Sequence, residues 1–213
     1  MEDVDLKVIT PQNTGWLEMQ LPEKYIDILW KYIEESKKEN VDHRPQLVGN
    51  IASSILLTDT DNYFFNNILE KLCNIYLTSF PTSANYIVPY VGKKCPWKLD
   101  GMWVNFQNKG EFNPIHHHQG SFSFVIWMKI PTNFEDQKQL PFAKDTRKPS
   151  AGNFEFSYSN MMGWTEQYEY YMNKDYEGTM LFFPAKLMHQ VYPFFESDEE
   201  RISISGNVCL DIK

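Results

Sequence analysis

FNPIHHHQGSFSFVIWMKI, residues 112–130, is the stretch on which the fold turns. Its second half, SFSFVIWMKI at 121–130, is dense in β-branched and aromatic residues and follows a glycine. Such a run between turn signals reads as a β-strand. Outward from it the same texture recurs. YIVPYV (86–91), LDGMWVNFQ (99–107), NFEFSYS (153–159), GTMLFF (178–183), MHQVYPF (188–194) and ERISISGNVC (200–209) are predicted strands, separated by Gly, Pro, Asn and Asp. Seven short strands with turns between them suggest an antiparallel sandwich or jelly roll.

The first third of the chain has a different period. In residues 22–39, Ile26, Leu29, Trp30 and Ile33 recur at helical spacing behind Pro22, which suits a first helical turn. Phe65, Ile68, Leu69, Leu72 and Tyr76 repeat the pattern over 61–79, with Asp59 or Asp61 as a cap. Both helices are expected to support the sheet. Residues 132–152 are polar, carry Pro141 and Pro149, and read as a surface loop or lid. Residues 160–177 read as a short helix or a mobile loop. The fold class is therefore mainly β with N-terminal helices.

Composition narrows the function. The 213 residues suit one domain, with 42% apolar and 23% charged residues. A net charge of −8 without a basic stripe argues against nucleic acid as a partner. Three widely spaced cysteines, Cys73, Cys95 and Cys209, suit a reducing compartment rather than a disulfide framework. The acidic N-terminus is not a signal peptide, and no apolar run reaches transmembrane length. A cytoplasmic protein with no membrane partner is expected, in the host cytoplasm if the protein is viral.

Three of the five histidines are consecutive, His116, His117 and His118, and a fourth, His189, lies in the run GTMLFFPAKLMHQ. His43 stands apart and reads as a surface residue. On an extended chain side chains alternate faces, so His116 and His118 share one face and His117 takes the other. Imidazole pairs of this kind chelate iron, zinc, copper or nickel. His189 comes 189 − 118 = 71 residues later, on another apolar strand that a sandwich can bring alongside. His116, His118 and His189 are the candidate metal ligands and catalytic residues.

Arg201 opens RISISGNV, with Ser203 and Ser205 on its own strand face and Ile202 and Ile204 on the other. An arginine facing the interior of a sandwich is costly unless it meets an anion. Its guanidinium forks two donors onto a carboxylate, and a hydroxyl two residues on adds a third. A glutamate or aspartate of the chain itself is the competing partner.

The order HxH, then a Gly-led strand ending in a distal His, then Arg-x-Ser resembles the 2-oxoglutarate/Fe(II)-dependent oxygenase superfamily. The stretches WVNFQNKGEFNPIHHHQGSFSFVIWMKIP and GTMLFFPAKLMHQVYPFFESDEERISISGNV are most similar to oxygenases of marine bacteriophages and some bacteria, over roughly residues 100–210. The resemblance implies a double-stranded β-helix, jelly-roll or cupin-like, over 86–210, with residues 1–80 as helical support in a single domain 1–213. It implies Fe(II), the co-substrate 2-oxoglutarate and O2, with hydroxylation of a small molecule or a protein side chain. His116 and His189 match the first and distal ligands, and Arg201 with Ser203 matches the clamp on the far carboxylate of 2-oxoglutarate. Asn105 is a further candidate for hydrogen bonding the co-substrate.

His118 departs from the pattern, since the superfamily usually has Asp or Glu there. Either a neutral imidazole replaces the carboxylate, or His118 does not bind and the position stays open. Glu111 is the nearest acid, at a poor spacing. Trp103, Trp127 and Tyr158 are candidates to line the pocket. Two other readings remain open: a cupin-like three-histidine dioxygenase or zinc enzyme without 2-oxoglutarate, and a non-enzymatic jelly-roll binding protein.

Overall fold

The computed structural model describes residues 7–9, 13–87 and 95–212. Helix α1 (Glu23–Glu39) buries Tyr25, Leu29, Tyr32 and Ile33, one apolar stripe. It stops at Asn40, whose left-handed backbone (φ 49°) lets its N–H bond Ser36 O. Asp59 caps the next helical segment: its two carboxylate oxygens accept from the N–H groups of Phe64 and Phe65, each at 2.8 Å. That segment begins as a π-turn, Phe65–Leu69, and continues as α2 (Glu70–Ser79).

Among the described residues, ten strands form two antiparallel sheets. The larger takes β1 (Leu17–Gln20), β2 (Ser53–Leu57), β3 (Trp97–Gln107), β5 (Phe122–Lys129), β8 (Thr179–Pro184) and β10 (Arg201–Leu210), in the order β1-β8-β5-β10-β3-β2. The smaller takes β4 (Asn113–His116), β6 (Phe154–Ser159), β7 (Thr165–Tyr170) and β9 (Met188–Val191), in the order β4-β9-β6-β7.

Alternation along the three central strands assigns the two faces of the larger sheet. Met102, Val104 and Phe106 of β3, Phe122, Phe124 and Ile126 of β5, and Ile202, Ile204 and Val208 of β10 join one core with α1 and α2. The opposite face turns toward the smaller sheet. There Val125 and Trp127 pack with Phe154, Phe156, Leu181 and Phe183. Between the apolar layers the same face carries a polar ladder, with Arg201 opposite Gln107, Ser203 opposite Asn105 and Ser205 opposite Trp103. At Gly206 of β10 the flanking strands come so close that a Cβ would lie 2.5 Å from Phe124 Cζ and 2.6 Å from Gly101 O.

Six of the seven expected strands are present within a residue or three of their expected ends. The expected strand 86–91 differs: Tyr86 and Ile87 belong to a short helix, α3 (Ala84–Ile87), and 88–91 lie outside the described residues. Residues 160–177, expected as a short helix or a loop, contain a strand, β7, before a single 3-10 turn at Lys174–Tyr176, because Glu166, Tyr168 and Tyr170 alternate with Thr165, Gln167 and Glu169 and pair with β6 throughout. The N-terminal third is not purely helical support, since β1 and β2 form both edges of the larger sheet. Residues 132–152 carry a short helix, α4 (Phe134–Gln137), and a satellite core of Leu140, Ala143 and Ala151. Lys148 pins this segment to β6 through Glu155 (2.7 Å) and to β7 through Glu169 (3.0 Å). No helix among the described residues is long and apolar enough to cross a membrane.

Candidate metal centre

The triplet lies at an edge of the smaller sheet, and pairing fixes where it points. Asn113 opposes Val191 and His116 opposes His189, so three steps along β4 match two along β9. The resulting bulge re-aims β4 and sets His116 beside His189. The chain then leaves the strand, and the His118 N–H bonds Ala185 O at 2.8 Å. As a result one ligand atom from each of His116, His118 and His189 lies within 4.8 Å of the others. His117 is exposed and outside this cluster.

Two of the three rings are locked from behind. His116 Nδ1 donates to Pro114 O at 2.7 Å, and His189 Nδ1 donates to Leu187 O at 2.9 Å. In each, the neutral tautomer that donates through Nδ1 leaves a lone pair on Nε2. His189 Nε2 lies 3.1 Å from His118 Nε2, close to the separation of about 3 Å that adjacent nitrogens take around a metal at about 2.1 Å. Burial, and then the proximity of the other imidazoles, holds His118 at about 3 and His189 well below the ordinary value of 6.5. Burial also lowers His116. All three are neutral donors at neutral pH, as metal binding requires.

These depressed values predict acid sensitivity of the metal-free protein. Below pH 6.5 the unfolded chain takes up protons that the folded imidazoles refuse, so stability present above 6.5 falls as pH drops toward about 3. Urea midpoints measured without metal should decline from pH 7.5 to pH 5, and His189→Gln should flatten that decline. A slope unchanged by His189→Gln would assign the acid sensitivity to other groups.

No carboxylate completes the cluster among the described residues. Glu111 is committed elsewhere: its oxygens accept from the N–H groups of Asn108 (2.8 Å) and Ala52 (3.1 Å), closing the turn before β4. The donor set is three neutral imidazoles, which fits a borderline divalent metal such as iron or zinc. A divalent ion there keeps its full +2 charge, where a carboxylate would reduce it to +1.

Arg201 is 2% exposed and lies in the same cavity, of about 430 Å³, as the histidines. Nε donates to Gln107 Oε1 at 3.0 Å, and the two terminal nitrogens donate to Gly152 O at 2.5 Å and Tyr192 O at 2.8 Å. Among the described residues no carboxylate forms an ion pair with it. Burial lowers its guanidinium to about 9. A guanidinium has five N–H donors, so two stay available to an anion.

Ser203 and Asn105 line the cavity beside Arg201, and Asn105 Oδ1 is buried without a hydrogen-bond partner. Trp103 and Trp127 line it as expected. Tyr158 does not; its ring packs toward Trp16, with centroids 6.2 Å apart. His43 is not a simple surface residue: it stacks on Trp103 with centroids 4.8 Å apart, and residues 46–49 continue the wall it begins. Nothing in the isolated tripeptide Asp-His-Arg signals this, because the contact depends on β2 bringing residues 43–54 against β3.

The family described as "Putative 2OG-Fe(II) oxygenase" matches residues 101–207, half of the chain. No curated protein matches the sequence. Among solved structures, the carbocyclase SnoK of nogalamycin biosynthesis, described as non-haem and α-ketoglutarate-dependent, is 10% identical, covers 93% of this chain and 80% of its own, and superposes with a TM-score of 0.55. A prolyl-4-hydroxylase of Pseudomonas putida is 13% identical over 91% of both chains, with a TM-score of 0.48. A viral collagen prolyl hydroxylase from Paramecium Bursaria Chlorella virus-1 is 12% identical over 91% of this chain and 94% of its own, with a TM-score of 0.47. SnoK shares the fold, a double-stranded β-helix. On the family match over residues 101–207, which takes in His116, His118, His189 and Arg201, the chain belongs to the 2OG-Fe(II) oxygenases.

Proposed function

We propose that the cavity hydroxylates a C–H bond of a small molecule or a single protein side chain, with iron on His116, His118 and His189 and 2-oxoglutarate on Arg201. The observation that carries this is the buried, carboxylate-free Arg201 opening on the same cavity as the imidazole cluster. Iron bound there would activate dioxygen, one oxygen atom entering succinate as 2-oxoglutarate loses carbon dioxide and the other entering the substrate C–H bond. Family use of Fe(II), 2-oxoglutarate and O2 supplies the reactants.

The chain's own residues bind, orient and exclude. Arg201 offers its two remaining donors to the distal carboxylate, and Ser203 adds a hydroxyl. The Asn105 amide supplies a donor alongside its unpartnered oxygen. Trp127, Phe154, Phe183 and Val191 close the apolar side and keep water out. With charges of +2 at the metal, +1 at Arg201 and −2 on 2-oxoglutarate, the loaded site stays net cationic. A cavity of about 430 Å³ is small for a ligand site and is shared with the co-substrate, which favours a small reacting group.

Anaerobic absorption spectroscopy tests this. Metal-free protein given Fe(II) and then 2-oxoglutarate should develop a visible charge-transfer band that needs both additions. Fe(II) binding with no response to 2-oxoglutarate would favour the three-histidine enzyme that does not use it. Succinate formation without a hydroxylated product across a substrate panel would count against hydroxylation.

A further inference from the structure

We propose that Trp103, backed by His43, is a positioning residue that orients the His118 ring, replacing the hydrogen bond that holds each of the other two imidazoles. This rests on His118 being a metal ligand. His116 and His189 are each fixed through Nδ1 by a backbone carbonyl, at 2.7 and 2.9 Å. His118 differs. Its ring hydrogen bond runs from Nε2 to His189 Nε2, and among the described residues none reaches its Nδ1. Its backbone is well held, with the N–H on Ala185 O and the carbonyl accepting from Lys186 Nζ at 3.1 Å. Those two backbone contacts do not hold rotation of the ring about its own side-chain bonds.

Packing supplies what hydrogen bonding does not. Inside the cluster the His189 and His116 rings lie 5.0 and 5.1 Å from the His118 ring; from outside the cluster the Trp103 ring lies 5.7 Å away, inclined by 33°. Trp103 is 3% exposed and fixed in β3 between Ser205 of β10 and Leu56 of β2. His43 stacks on Trp103 at 4.8 Å, inclined by 28°. The His43 backbone is anchored, its N–H donating to Ser54 O at 2.9 Å and its carbonyl accepting from Gln46 N at 3.0 Å. No side-chain hydrogen bond engages the His43 ring among the described residues, so stacking is what the ring contributes. Three rings in series thus run from the 43–49 wall to the metal cluster.

Partners that orient a ligating histidine are typically worth about 10- to 100-fold in metal affinity. Co(II) titration of metal-free protein, read by its visible absorption bands, measures this without turnover. His43→Ala is expected to weaken Co(II) binding by roughly tenfold and alter the band intensities, with the metal-free melting temperature unchanged. His43→Phe should restore affinity, because it restores the ring. In a His118→Ala background, His43→Ala should add nothing. Wild-type affinity in His43→Ala would overturn the proposal. So would equal weakening in both backgrounds, or a loss tracking a lowered melting temperature that His43→Phe does not repair. If His118→Ala itself leaves Co(II) binding unchanged, the ligand assignment fails. That outcome is distinct from a failure of the clamp alone, in which His118→Ala weakens binding and His43→Ala does not.

Discussion

Arg201→Met is expected to raise the 2-oxoglutarate concentration for half-maximal turnover at least about a hundredfold while costing the metal-free fold some stability. The two halves of this expectation come from one balance. Lowering the guanidinium from 12.5 to about 9 by burial sets roughly 5 kcal/mol against carrying its charge in the cavity. Hydrogen bonds to Gln107, Gly152 and Tyr192 return roughly 1.5–3 kcal/mol each when the donor is charged. Those amounts offset each other in part, but an apolar side chain of similar length leaves Gln107 Oε1, Gly152 O and Tyr192 O without their donor, so the fold loses some stability. Co-substrate binding has no such offset. Two charge-assisted hydrogen bonds to a carboxylate, at roughly 1.5 kcal/mol or more each, amount to a hundredfold or more in affinity. Measuring succinate formation against 2-oxoglutarate, alongside urea unfolding of the metal-free protein, checks both halves. Arg201→Lys should rescue poorly, because an ammonium lacks the planar fork. An unchanged 2-oxoglutarate requirement in Arg201→Met would remove Arg201 from the site and favour the three-histidine enzyme that works without this co-substrate.

Arg201 also shows which features were legible in the sequence. Period-two alternation around Arg201, Ser203 and Ser205 placed them on one face, and register with Gln107, Asn105 and Trp103 makes that face one side of the cavity. The triplet was legible for the same reason, since His116 and His118 lie two positions apart. What local pattern does not encode is the bulge between Asn113 and His116, which is visible only in pairing with β9. Short edge strands escaped as well. β1 has four residues and β2 five, too few to show a period, and both are held mainly by partners distant in the chain. β7 was obscured by its charged and aromatic composition, which fits a helix or a strand equally. His43 and the 46–49 wall were illegible because a loop's side-chain environment is set by whatever it lands on. Tyr158 failed in the opposite direction: its aromatic character was visible, but Trp16, which claims it, lies more than a hundred residues earlier.

His189→Ala is expected to abolish metal-dependent stabilisation. His189 is 4% exposed, is the middle ring of the cluster, and pairs directly with His116 across β4 and β9. Phe154, Phe156 and Phe183 surround it, with ring centroids 5.8, 6.1 and 5.0 Å away. No neighbouring donor can therefore swing in to replace the lost imidazole. At a metal concentration a hundred times the dissociation constant, a bound ion stabilises the wild type by about 2.7 kcal/mol. The variant should show no shift at the same concentration. The comparison is made between metal-loaded and metal-free samples of each protein, so any stability lost by emptying the aromatic pocket cancels. His116→Ala should behave alike, whereas His117→Ala, an exposed ring outside the cluster, should keep the full shift. If His189→Ala retained the shift, the metal would sit elsewhere and the His116–His189 pairing would be a packing contact. If His117→Ala lost it, the bulge before His116 would direct the wrong ring into the cavity. The expected pattern, with loss at 116 and 189 and retention at 117, requires both the bulge and the alternation that follows it.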